Sequence, residues 1–202
     1  MKILHSYVSP PLILLLTIAT YAQTSLQDKR DGKTYKTVKI GTQIWMAENL
    51  NYDNKDGYSS CYDDKEENCT KYGRLYRWSA ADKACPAGWH LPTRKDWYDL
   101  FQTVGGKDAA IRTLKSKNGW INNNGTDSFG FSALPYGCSV HDEEGKEFDG
   151  IGTHGAWRSA TQKNDSDRES DFWYWVMSEN EIQERFDYYY MGNGFSVRCI
   201  KD

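Results

Sequence analysis

The residues of this chain best equipped to do chemistry are five cysteines, Cys61, Cys69, Cys85, Cys138 and Cys199. Five sulfurs allow two bridges and one thiol left over. Cys61 and Cys69 sit close together in a polar stretch and can staple it, while Cys85 and Cys199 would tie the middle of the chain to its end. Loop-closure entropy makes the short bridge worth about 2.5 kcal/mol and the long one about 4.8 kcal/mol. Cys138 is then the odd thiol, to be read either as a buried side chain or as a link to another molecule. Redox catalysis needs an accessible, tuned thiolate, and the sequence marks no base beside any of the five.

The other reactive residue types are scattered. No nucleophile-elbow pattern occurs, and no catalytic motif surrounds His90, His141 or His154. His90 precedes a Pro-Thr helix entry and reads as structural. His141 and His154 flank an acidic, glycine-rich stretch and could hold zinc with Asp142 or Glu144, but the spacing matches no closed site. Oxygen-rich loops at 51–56, 122–127 and 164–167 would suit calcium, yet none follows the regular twelve-residue calcium loop. No cofactor is therefore expected, with calcium the one cation left open.

Aromatic residues are the stronger lead, with 8 Trp and 14 Tyr in 202 residues. Trp157, Trp173, Trp175 and the run Tyr188 to Tyr190 fall near glycine-rich loops. Trp157, Arg158, Trp173, Trp175 and Tyr189 are the candidate ligand-binding residues, since a sugar ring stacks on a flat aromatic face. The opposing reading is that alternate residues of a strand over 172–176 simply fill the core. On a strand, Phe172, Tyr174 and Val176 face away from Trp173 and Trp175.

These residues need a frame, and the hydrophobic pattern supplies one. Alternation from Thr34 to Ile40, a Gly41-Thr42 turn and Gln43 to Met46 predict a β-hairpin. Residues 51–70 read as a loop held by its own bridge. Thr93 and Asp96 form a capping box ahead of Trp97, Leu100, Phe101 and Val104, which share one helical face until Gly105-Gly106. A second helix is expected over 107–115, with Ala110, Ile111 and Leu114 inward. Residues 137–156 and 162–170 read as long loops. Strands are expected over 155–160 and 172–176. Two more, around 185–190 and 195–200, would form a hairpin through Gly192-Asn193-Gly194. The pattern is α+β: two helices among short antiparallel strands, with long loops.

Lys2, the apolar run Leu12 to Ala19 and Thr20-Tyr21-Ala22 read as a secretory leader over 1–22, cleaved after Ala22 or Gln23. The run is too short to span a bilayer, and no cysteine follows it to carry a lipid. Residues 23–32 read as a flexible lead-in and 33–202 as one domain. The expected destination is secreted, periplasmic or cell-surface, where disulfides persist. A formal net charge of −3 without a basic block gives nucleic acid no purchase.

Several motifs occur in a fixed order. They are Asp31-Gly32-Lys33-Thr34-Tyr35, Val38-Lys39-Ile40-Gly41, Trp45 to Tyr52, Tyr72 to Tyr76 and Cys85-Pro86-Ala87-Gly88-Trp89-His90-Leu91-Pro92-Thr93. Gly130 to Pro135 and Gly194-Phe195-Ser196-Val197-Arg198-Cys199 complete the series. In these the chain resembles the Fibrobacter succinogenes major paralogous domain family over essentially all of 33–202. That family belongs to exported proteins of Fibrobacter and Bacteroidetes-type bacteria. Its Leu-Pro-Thr-x-x-x-Trp helix entry is similar to that of the formylglycine-generating, sulfatase-modifying fold, so the resemblance implies a C-type-lectin-like domain. The chain departs from the family's pattern at Tyr136-Gly137-Cys138 and at Ala156-Trp157-Arg158-Ser159. Formylglycine-type enzymes use a cysteine pair near the chain end, where this chain has Cys199 alone. The expectation is a non-catalytic binding or display module for a glycan or a surface protein. An enzyme derived from the formylglycine-type fold and an adhesive surface component are the alternatives.

Overall fold

The fold was obtained as a computed structural model, which describes residues 23–141, 144–162, 172–187 and 192–202. The expected leader over 1–22, most of the expected loop over 162–170, and Tyr189 lie outside the described residues. In chain order the elements begin with β1 (Gln23–Gln27), β2 (Thr34–Ile40), β3 (Gln43–Met46) and β4 (Ser59–Ser60). A 3-10 turn at Tyr62–Asp64 precedes α1 (Glu66–Tyr72), β5 (Leu75–Tyr76), α2 (Trp78–Ala81) and β6 (Trp89–His90). Next come α3 (Arg94–Thr103), α4 (Lys107–Leu114), β7 (Cys138–His141) and β8 (Lys146–Asp149). The chain closes with β9 (Gly155–Gln162), β10 (Phe172–Met177), β11 (Ile182–Asp187), β12 (Phe195–Ser196) and β13 (Ile200–Lys201).

Among the described residues three sheets result, in the strand orders β1-β2-β3-β13-β6, β11-β10-β9-β12-β5-β4 and β7-β8. Pairing is antiparallel except where β12 runs parallel to β9. The architecture is α+β, as the sequence predicts, and the first hairpin pairs Ile40 with Gln43 around its Gly-Thr turn. Among the described residues, no helix is long and apolar enough to cross a membrane.

α3 forms where its capping box places it. The Thr93 hydroxyl accepts from the Asp96 amide, and the Asp96 carboxylate accepts from the Thr93 amide, satisfying donors that the first turn leaves open. Trp97, Leu100 and Phe101 then enter the main core, which α4 joins through Ala110 and Leu114. That core lies between the helices and both large sheets, with Val38, Ile40 and Trp45 from one and Trp157, Trp175 and Met177 from the other. A second cluster packs Tyr35, Met46, Leu50, Tyr76, Leu91 and Val197 around the buried Cys199. Cys199 is bonded to Cys85, and Cys61 to Cys69.

Five expectations need correction. Residues 23–32 are not a loose lead-in: β1 pairs with β2 from Gln27↔Thr34 to Gln23↔Val38, and Asp28 is fully buried against Arg30. Residues 51–70 are not all loop, because Glu66–Tyr72 form α1, anchored by the buried Cys69 and Tyr72. Two helices were expected, but the described residues hold four: besides α1, a short helix, α2, forms at Trp78–Ala81. The stretch 137–156 holds the hairpin β7-β8, which a pattern rich in glycine and charge conceals. The closing strands do not pair with each other. β12 leaves β11 for β5 and β9, and β13 joins the other large sheet beside β3 and β6.

Candidate functional site

The aromatic row turns inward. Trp157 and Trp175 are cross-strand partners on β9 and β10, and each is 1 % exposed. α3 covers them: the Phe101 ring centroid lies 4.9 Å from that of Trp175, and Trp97 lies 6.2 Å from Trp157. Arg158, pointing to the opposite face, is equally buried, stacked 4.4 Å over Phe195 and donating to the Asn193 carbonyl. Three of the five candidate ligand-binding residues, Trp157, Arg158 and Trp175, are therefore interior. The alternation expected along 172–176 exists, but β10 is packed on both faces, so of the outward set Phe172 and Val176 are buried and Tyr174 is half-buried against Phe195. Of the candidates on this strand, Trp173 stays half-buried, with the Arg94 guanidinium 4.4 Å above its ring. Arg94 in turn is held by Glu184, which also accepts from the Tyr98 hydroxyl.

A different concavity opens on the far side of Trp157. It is a cleft of about 750 Å³ between β2, the turn after β3, α1 and the segments 116–118 and 127–134. Its lining is largely hydrogen-bonding: Lys33, Lys36, Lys71 and Lys117, Glu48, Glu66 and Asp127, with Asn49, Asn51 and Asn118 among the amides. The chain turns there because Gly73 ends α1. Its φ is +86°, and an added Cβ would meet the Leu50 carbonyl and the Asn49 Cβ at 2.8 Å.

Asn49 forms the floor and joins the cleft to the core. Its amide nitrogen donates to the Tyr72 carbonyl at 2.9 Å and to the Ser196 hydroxyl at 3.3 Å. Its amide oxygen accepts from Trp157 Nε1 at 2.9 Å and from Arg198 at 2.9 and 3.2 Å. Arg198 is fully buried, also donates to the Phe131 and Ser132 carbonyls, and lies 4.3 Å over the Phe131 ring. Burial pulls the Arg198 pKa down to about 9. Asp127 and Glu48, both in the cleft wall, favour its charge through space. At neutral pH the guanidinium is a cation, neutralised across the floor by acids on the solvent side.

Sequence reasoning passed over Asn49 and Arg198 as site residues, although both sit inside the motifs that carry the family resemblance. The signal was an arginine one residue before the last cysteine, since a guanidinium drawn inside with that bridge demands a set of acceptors. Of the loops read for calcium, 51–56 directs Asp53 to Lys55 and Arg74. In 122–127, Asn124 accepts from the Trp120 amide and Asp127 accepts from Ser132. The stretch 164–167 lies outside the described residues. His90 faces Asp202 at 2.7 Å, and His141 faces Arg77 at 2.9 Å.

Comparison with known proteins gives one match: the model of the Fibrobacter succinogenes major domain family fits residues 38–201. No curated protein and no solved structure matches the chain.

Proposed function

The chain belongs to the Fibrobacter succinogenes major domain family, and we propose that it serves as an exported, non-catalytic binding module whose ligand lies in the Asn49 cleft. The observation that carries this reading is the cleft itself, roomy enough for an oligosaccharide of a few rings and lined by side chains that donate and accept hydrogen bonds. Hydroxyl-rich ligands are recognised by such fixed amides, carboxylates and ammonium groups. The wall is also stiff. The Cys61–Cys69 bridge braces α1, and the saturated Asn49 network braces the floor, so little ordering entropy is lost on binding.

A C-type-lectin-like arrangement fits the way the chain ends meet in one sheet, β2-β3 beside β13, while the long excursions leave from elsewhere. Export fits the two disulfides. The test is a glycan array probed with the full chain, followed by titration of its hits into Lys71→Glu/Lys117→Glu and, separately, Trp173→Ala. Affinity drops at least tenfold in the cleft variant and stays within twofold for Trp173→Ala. Hits that ignore the cleft variant, or an array without hits, defeat the reading.

A further inference from the structure

A separate cluster sits on the β7-β8 hairpin, away from the cleft lining. Cys138 and Asp149 are directly paired across the two strands, which puts their side chains on one face at neighbouring positions. His154 joins them from the turn that follows β8. The thiol sulfur, an imidazole nitrogen and a carboxylate oxygen all lie within 4.8 Å of one another, and Cys138 Sγ is 3.9 Å from His154 Nε2. Two ligands of a tetrahedral zinc, at bond lengths of about 2.3 Å to sulfur and about 2.0 Å to nitrogen, stand roughly 3.6 Å apart. The observed separation needs only a few tenths of an ångström of closure.

The local backbone is shaped for the imidazole. Gly150 has φ +83°, and a Cβ there would meet the His154 ring at 1.8 Å, so the ring lies flat against this glycine and no other residue would leave it room. The Thr153 hydroxyl donates to the Gly150 carbonyl at 3.0 Å and stands 3.4 Å from His154 Nδ1. That contact suits an Nδ1–H and leaves the Nε2 lone pair directed to the thiol side, the orienting role that outer partners of metal-bound histidines play. Cys138 lies at the edge of the core, 9 % exposed, while Asp149 is exposed. The cluster is thus closed on its sulfur side and open to water on its carboxylate side. A second cysteine-containing group, Cys61, Glu66 and Cys69, has its sulfurs bonded to each other and offers no thiolate.

We propose that Cys138, Asp149 and His154 bind a single zinc ion, with a fourth position open to water or to an incoming ligand. Sulfur, imidazole and carboxylate together match the ligand preferences of zinc, whereas calcium and magnesium take oxygen ligands. The reading stands independently of the cleft.

The full chain, stripped with chelator and kept non-reduced so that both bridges stay closed, is titrated with Co(II) as a spectroscopic stand-in and then with Zn(II). The expected result is one equivalent bound, a thiolate-to-cobalt charge-transfer band, and its loss as zinc displaces cobalt. Zinc also slows alkylation of Cys138 in the unmodified chain at least tenfold, a readout that needs no variant to fold. Cys138→Ser and His154→Ala each abolish the band while near-ultraviolet circular dichroism is unchanged, and Asp149→Asn weakens cobalt binding about tenfold. Binding without a thiolate band, binding that survives both variants, or alkylation indifferent to zinc would overturn the assignment.

Discussion

Asn49 has one side in the core and one in the cleft, and the two sides differ in kind. Inward, its amide meets Tyr72, Ser196, Trp157 and Arg198, every group buried and every amide position used. Outward, the wall carries lysines and acids that reach water. A saturated polar cluster has no capacity left for a ligand, so its work is to hold the fold. A half-open one has that capacity. Trp157 belongs with the first kind, since its indole is buried and bonded to Asn49.

The contrast predicts large stability effects on the inner side and small ones on the outer. The largest is loss of the bridge behind the floor. Cys85→Ser/Cys199→Ser should cost about 4.8 kcal/mol by loop-closure entropy, read from urea unfolding. Asn49→Ala comes next. It strips the buried guanidinium of its side-chain acceptor and leaves the Trp157 indole N–H without the Asn49 oxygen, at about 3 kcal/mol by the same measurement. Thr93→Ala, which opens the α3 capping box, should cost about 1 kcal/mol.

Asp28 supplies a pH signature of the same frame. Burial alone would raise its pKa, but the hydrogen bonds and charge of Arg30 outweigh that and hold it below the ordinary carboxylate value of 3.8. A depressed carboxylate stabilises the fold above its unfolded pKa, and that contribution is lost as pH falls through the folded value. The gap in urea midpoint between the unmodified chain and Asp28→Asn should therefore be full at pH 5 and narrow below pH 4. The smallest stability effect is expected on the outer side. Lys71→Glu/Lys117→Glu should shift unfolding by less than about 0.5 kcal/mol, so any loss of binding there reports on the cleft and not on folding.

What the sequence revealed follows the range of the interactions. α3 was legible because its capping box and its i, i+3, i+4 stripe are local, and the β2-β3 hairpin because its turn and alternation are local. α1 was not, since Glu66–Tyr72 has no apolar stripe and is held by Cys69, Tyr72 and the terminal Gly73. The β7-β8 hairpin was hidden for a related reason: its strands alternate between half-buried and exposed at one end and carry few apolar residues. β12 and β13 read as one strand following one turn, and only partners distant in the chain divide them between two sheets. The alternation along β10 was read correctly, but period two cannot say whether the outward face is covered. For the site, the residues of the floor lay within the quoted motifs while their convergence did not. Asn49 and Arg198 are 149 positions apart.

The most direct measurement is a two-dimensional NMR titration of the chain, labelled at lysine and tryptophan, with an oligosaccharide selected from the array. Resonances of Lys33, Lys36, Lys71 and Lys117 should move together and saturate at one equivalent, while the Trp173 and Trp175 indole signals stay fixed. Movement of the Trp173 indole with the four lysines silent would contradict the cleft as the binding site and return the search to the aromatic edge.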